Sequence, residues 1–115
     1  IDDVKIKQIL DRVELTNFID NSKYGLNSSI GDKAKNISGG QAQRISLARA
    51  LYYDSEILIL DEFSNQLDET TENNILKIIE NLKELKTIII VSHKKNVTNI
   101  CDEIYKIENK RLLKI

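Results

Sequence analysis

Residues 57–62 read Ile57-Leu58-Ile59-Leu60-Asp61-Glu62, four apolar side chains closed by two carboxylates. The apolar run has the length of a strand. Its lack of alternation predicts a strand buried on both faces, as in a parallel sheet. A second run of this kind, Thr87–Ser92, follows downstream. Between them, roughly from Glu69 to Leu85, Ile75, Ile78, Ile79 and Leu82 fall on one helical face. Strand, helix, strand in that order predicts a βαβ unit with helices covering parallel strands.

Working outward from this unit, two more helices are predicted upstream. Ile6, Ile9, Leu10 and Val13 recur at i, i+3, i+4 and i+7, with Leu15, Phe18 and Ile19 expected to pack beneath them. A polar, glycine-containing loop is expected over Asn21 to Asn36. The next helix runs from Ser38 to about Tyr53, and its opening Ser38-Gly39-Gly40-Gln41 has capping-box spacing. Downstream, Glu103–Glu108 and Arg111–Ile115 flank the turn Asn109-Lys110 and predict a hairpin. The chain has no internal repeats and no low-complexity tracts.

Bulk composition narrows the classes. A chain of 115 residues buries about 65% of its unfolded surface, enough for a core without staples. Seventeen basic residues stand against 18 acidic ones, so no global field draws the chain to nucleic acid or membrane. The single cysteine, Cys101, excludes an internal disulfide, fits a reducing compartment and reads as a small buried hydrophobe. No apolar run approaches the roughly 20 residues of a membrane span, and no signal peptide is visible. The chain starts at Ile1 and lacks methionine, so a piece of a longer polypeptide is expected.

Three features carry chemistry. Asp61 and Glu62 stand at the carboxyl end of a predicted strand, where ligands bind in open α/β sheets. If the extended geometry persists they point to opposite faces and should do different work. A strand running into a solvated loop fits this hexapeptide equally well. Ser38–Gln41 place two glycines at a helix start, where open amides and partial positive charge suit a phosphate. An ordinary serine cap fits these four residues as well. His93, the only histidine, directly follows the second strand and so shares a sheet edge with the two acids. Lys94-Lys95 and Lys83–Lys86 read as solvated faces. Arg44 and Arg49 serve either an interface or structural salt bridges.

The combination is more specific than its parts, and it resembles the ATP-binding-cassette (ABC) ATPases. Ile37-Ser38-Gly39-Gly40-Gln41, with Gln43-Arg44 and Ala48-Arg49-Ala50-Leu51, resembles the signature motif and its helix. Ile57–Glu62 resembles the Walker B strand with its following glutamate, and His93 falls at the switch histidine. Ser64-Asn65-Gln66-Leu67-Asp68 resembles the D-loop, with Asn65 and Gln66 in place of the usual small residue. Gly25-Leu26-Asn27 and Ser29-Ile30-Gly31-Asp32-Lys33 are similar to a stretch by which exporter-type cassettes contact their membrane domain. Ala34 stands where those cassettes often carry glycine. The phosphate loop G-x-x-x-x-G-K-[ST] does not occur in these 115 residues, nor do the adenine-stacking aromatic and the glutamine loop.

The resemblance implies an α/β, P-loop NTPase-like fragment: a helical signature subdomain over 1–53, then over 54–115 a parallel βαβ core with a closing hairpin. It implies ATP as substrate and Mg²⁺ held by Asp61, with Glu62 as general base and His93 on the γ-phosphate. Ser38, Gly39, Gly40 and Gln41 would reach across a head-to-tail dimer to ATP on a second nucleotide-binding domain, with Asp68 coupling the two sites. The other implied partner is a transmembrane domain, at the cytoplasmic face of the cell membrane, and no nucleic acid is expected. The segment by itself is expected to be silent. Two other readings are a soluble ABC-type ATPase of DNA repair or translation, and a non-catalytic partner subunit. Intact Glu62 and His93 argue against the last.

Overall fold

The architecture grows from the βαβ unit. In a computed structural model that describes residues 1–22, 24–27 and 37–115, strand β1 (Ile57–Asp61) leads through helix α4 (Glu69–Leu82) into strand β2 (Thr87–Val91). The strands pair in parallel, from Ile57 opposite Thr87 to Asp61 opposite Val91. Helix α4 covers one face of this pair with Ile75, Leu76, Ile78, Ile79 and Leu82, all buried. It starts on the cap that the sequence supplies, Asp68 accepting from the Thr71 amide at 3.1 Å. It ends at Leu82, short of the expected Leu85. There the chain turns into β2, with Lys83 Nζ anchored on the Ile100 carbonyl and on Asp102.

Helix α1 (Asp3–Arg12) is capped by Asp2, and helix α2 (Thr16–Asp20) follows across Glu14, whose φ of 58° lies in the left-handed region. Between them Val13 and Leu15 reach the core and are fully enclosed. Helix α3 (Gly39–Tyr52) carries the expected capping box. The Ser38 hydroxyl accepts from the Gln41 amide at 3.1 Å, and the Gln41 side chain accepts from the Ser38 amide at 3.0 Å. Leu47 and Leu51 on α3 join the same core as Leu58 and Leu60 of β1. After β2, a short helix α5 (Lys95–Thr98) drops Val97 into that core. Strands β3 (Tyr105–Glu108) and β4 (Arg111–Lys114) form the expected antiparallel hairpin. Its turn residues Asn109 and Lys110 both have positive φ, the signature of a type I′ turn.

One expectation fails. The strands are not buried on both faces. Leu58 and Leu60 are buried, but Ile57, Ile59, Ile89 and Val91 on the other face are exposed, Ile59 to 66%. An unbroken apolar run reports that a strand needs cover, and not where the cover comes from. The described residues supply helices on one face only. The radius of gyration is 15.7 Å, against about 13 Å for a compact domain of this length. Gly25–Asn27 forms a 3₁₀ turn, while the exporter-like stretch Ser29–Ala34 lies outside the described residues. Among the described residues no helix is long and apolar enough to cross a membrane.

Candidate functional site

The acids and the histidine meet at the carboxyl edge of the parallel pair. Asp61 ends β1 and continues its alternation, so it lies on the open face with Ile57 and Ile59. Glu62 leaves the strand with a φ of 49°, while its amide still donates to the Val91 carbonyl at 2.9 Å. The extended geometry that was to separate the two acids therefore stops between them. They differ all the same. Asp61 is exposed and Glu62 half-buried, with Oε2 enclosed and without a hydrogen-bond partner. A non-glycine residue held in the left-handed region costs about 1–3 kcal/mol, and such strain collects at functional sites.

Glu62 Oε1 lies 3.4 Å from His93 Nδ1, at the long limit of a hydrogen bond. The imidazole is otherwise open to solvent, 77% of its surface exposed. A cleft of about 250 Å³ runs from this edge between the side of α3, at Gln43, Ser46 and Ala50, and the end of β1. For a divalent ion the local donors are carboxylate oxygens, suited to a hard cation. No group of three His, Cys, Asp or Glu side chains converges among the described residues. Asp61 thus fits a Mg²⁺ that takes its remaining oxygens from water and phosphate, and does not fit a closed protein cage.

Ser38–Gln41 lie elsewhere, where α3 starts against the loop leading into α4. A Cβ at Gly39 would stand 3.1 Å from Leu67 Cδ2, and one at Gly40 would overlap the Thr71 methyl. Both glycines therefore permit close packing of α3 on residues 66–71, whatever else their amides do. Asp68 belongs to this second group. Its carboxylate is held below the usual aspartate range by hydrogen bonds from Thr71. The loop from Glu62 to Asp68 is the covalent bridge between the two groups.

Several lesser readings change. Lys94 is not a solvated charge: its Nζ lies 2.5 Å from Oε2 of the buried Glu72 and donates to the Ser64 carbonyl at 2.8 Å. Lys83 pairs with Asp102 at 2.8 Å, and Lys86 donates to the Ser55 carbonyl. Arg44 approaches Glu14 at 4.0 Å and keeps its Nε enclosed without a partner, whereas Arg49 is exposed. Cys101 is half-buried, and burial pushes its thiol up, away from a reactive thiolate. Glu72 was missed by sequence reasoning. Its signal was a carboxylate at i relative to Ile75 and Ile79 at i+3 and i+7, on the apolar stripe of α4.

Comparison with known proteins bears on the whole arrangement. A family model described as ABC transporter matches residues 1–65. The chain is 34% identical to the ATP-dependent lipid A-core flippase of Ralstonia nicotianae, over 98% of this chain and 19% of that protein. It is 38% identical to the glutathione/L-cysteine transport system ATP-binding/permease protein CydC of Haemophilus influenzae, over 98% of this chain and 20% of that protein. A solved structure of a bacterial Atm1-family ABC exporter with ATP bound superimposes with a TM-score of 0.80 and 26% identity. It covers 96% of this chain and 19% of that one. The chain thus spans about a fifth of the length of the relatives it matches.

Proposed function

We propose, for a chain that belongs to the ABC transporter family, that it forms the carboxy-terminal part of a nucleotide-binding domain of exporter type. The complete protein hydrolyses ATP to drive transport across a membrane, with this segment at the cytoplasmic face. Residues 1–53 belong to the helical signature subdomain and residues 54–115 to the ATPase core. One observation carries the catalytic part of this reading: a half-buried carboxylate on strained backbone, one oxygen enclosed and unpartnered, beside the only histidine at a sheet edge.

Glu62 acts as the general base. Its carboxylate takes a proton from water as the water oxygen bonds to the γ-phosphorus. The bond from that phosphorus to the bridging oxygen breaks, and ADP leaves with the electron pair. His93 faces the same point and donates a hydrogen bond to the γ-phosphoryl oxygens as charge develops there. Asp61 is the residue to hold Mg²⁺, which when bound neutralises phosphate charge. Ser38–Gln41 present first-turn amides and the Ser38 hydroxyl to ATP held by the partner domain in a head-to-tail dimer, and Asp68 lies at the same contact. A phosphate loop has to come from outside these 115 residues, so the segment alone neither binds ATP tightly nor hydrolyses it.

The test is Glu62→Gln in the full-length protein. Loss of the base should cut hydrolysis by about 10²–10⁴-fold while ATP binding and dimer closure persist. Hydrolysis at the parent rate would remove the general-base assignment.

A further inference from the structure

The carboxylate of Glu72 is buried, the residue only 4% exposed. It gathers groups from both loops at the catalytic edge. Lys94 Nζ lies at 2.5 Å from one oxygen, the Asn96 amide donates to the other, and Ser64 contributes a further hydrogen bond. Lys94 also ties itself to the Ser64 carbonyl at 2.8 Å. Ser64 stands two residues after Glu62, and Lys94 follows His93 directly. We infer that Glu72 is a positioning residue: its carboxylate clamps the loop after β1 to the loop after β2 and thereby sets the separation of Glu62 and His93.

Burying a carboxylate is expensive unless it is paired and hydrogen-bonded, and here two of the partners, Ser64 and Lys94, stand within two residues of Glu62 and His93, with Asn96 following in α5. Burial pushes the Glu72 carboxyl up, but Lys94, Asn96 and Ser64 outweigh that and hold it below its ordinary value, so it stays an anion. Next, the clamp has a rigid foundation, since Glu72 continues the buried stripe of Ile75 and Ile79 on α4. Finally, His93 has little else to hold it. Its ring is 77% exposed and touches Glu62 at 3.4 Å, so its place follows its backbone, which Lys94 anchors. A displacement near 1 Å at such a pair can cost about 100-fold in rate.

This inference rests on the reading of Glu62 and His93 given above, and the experiment separates the two. In the full-length protein, Glu72→Ala and Lys94→Met should each lower kcat per folded molecule by about 100-fold, with KM for ATP within about twofold. Lys94→Arg, which keeps the cation, should recover most of the rate. Parent kcat in folded Glu72→Ala and Lys94→Met overturns the clamp while leaving Glu62 as base, provided that Glu62→Gln is silent. A loss confined to the folded fraction, with kcat per folded molecule unchanged, also overturns it, because that is what a merely structural ion pair gives. Should Glu72→Ala not fold, Asn96→Ala removes a single bond to the carboxylate. It should lower kcat by about three- to tenfold, and an unchanged kcat there overturns the inference. If Glu62→Gln hydrolyses at the parent rate, the reaction the clamp serves is gone and the inference falls with it.

Discussion

The two ends of the loop from Glu62 to Asp68 are built on opposite terms. At the Asp68 end the polar side chains are matched and the packing is close: the capping box of Ser38 and Gln41 is closed, Asp68 caps α4, and Gly39 and Gly40 admit Leu67 and Thr71. At the Glu62 end the backbone is in the left-handed region, a carboxylate oxygen is enclosed without a partner and a histidine stands in solvent. Satisfied hydrogen bonds and close packing favour stability, whereas unmatched polar groups and strain persist where chemistry needs them. Gly39, Gly40 and Asp68 thus each have a structural role, whatever else they do, whereas Glu62 and His93 have little.

The largest effect on stability should come at the joint between α3 and α4. Gly40→Ala places a Cβ into the Thr71 methyl, an overpacking that destabilises by about 1–3 kcal/mol. Thr71→Ser removes that methyl, so the double variant should regain most of the loss in a urea titration of the full-length protein's cassette. Equal destabilisation with and without Thr71→Ser would mean that the glycine is needed for its backbone alone. The opposite exchange belongs at the sheet edge. Glu62→Gly relieves a left-handed non-glycine residue, about 1–2 kcal/mol, and removes an unpartnered enclosed oxygen. Against this stands about 0.5–1 kcal/mol of extra chain entropy for glycine. The net expectation is a gain of about 1 kcal/mol, a melting temperature raised by a few degrees, and loss of hydrolysis. A Glu62→Gly protein less stable than its parent would show that the carboxylate has a partner that stabilises the fold.

The same contrast explains what was legible in the sequence. The Asp68 end is governed by rules that act over three or four residues. Ser38 to Gln41 and the helical stripe of Ile75, Ile78, Ile79 and Leu82 could be read from spacing, whereas the Asp68 cap on Thr71, which obeys the same rule, was seen only in the structure. The strands, the hairpin turn at Asn109-Lys110 and the meeting of His93 with the acids followed from order and run length. What could not be read depends on partners distant in sequence. Glu72 meets Lys94 across 22 positions, so Lys94 looked like one of many surface lysines. The exposed face of Ile57, Ile59, Ile89 and Val91 was out of reach for a similar reason, since an apolar run states that cover is needed and not where it comes from. Glu14 and Glu62 were missed as left-handed positions because neither is glycine or asparagine. Helix α2, five residues long, is too short to show a period.

The smallest effect concerns acid. Hydrogen bonds from Thr71 hold the Asp68 carboxyl below its ordinary value of 3.8, because the ionised oxygen is the better acceptor for the amide donors at the start of α4. A carboxyl whose folded pKa lies below its unfolded one contributes stability that is complete above the unfolded value, here above about pH 4. That contribution fades as the pH falls through the lower, folded value. Asp68→Asn keeps a capping oxygen and removes the charge, so it should flatten this part of the acid unfolding curve while changing little at pH 7. The comparison of the two ends decides what the result means. If Asp68 is chiefly a cap, its variant shifts acid stability and leaves ATP hydrolysis of the full-length protein within about twofold. If hydrolysis falls much further while acid unfolding is unchanged, Asp68 belongs with Glu62 and His93 in function, and the loop carries unmatched charge at both ends.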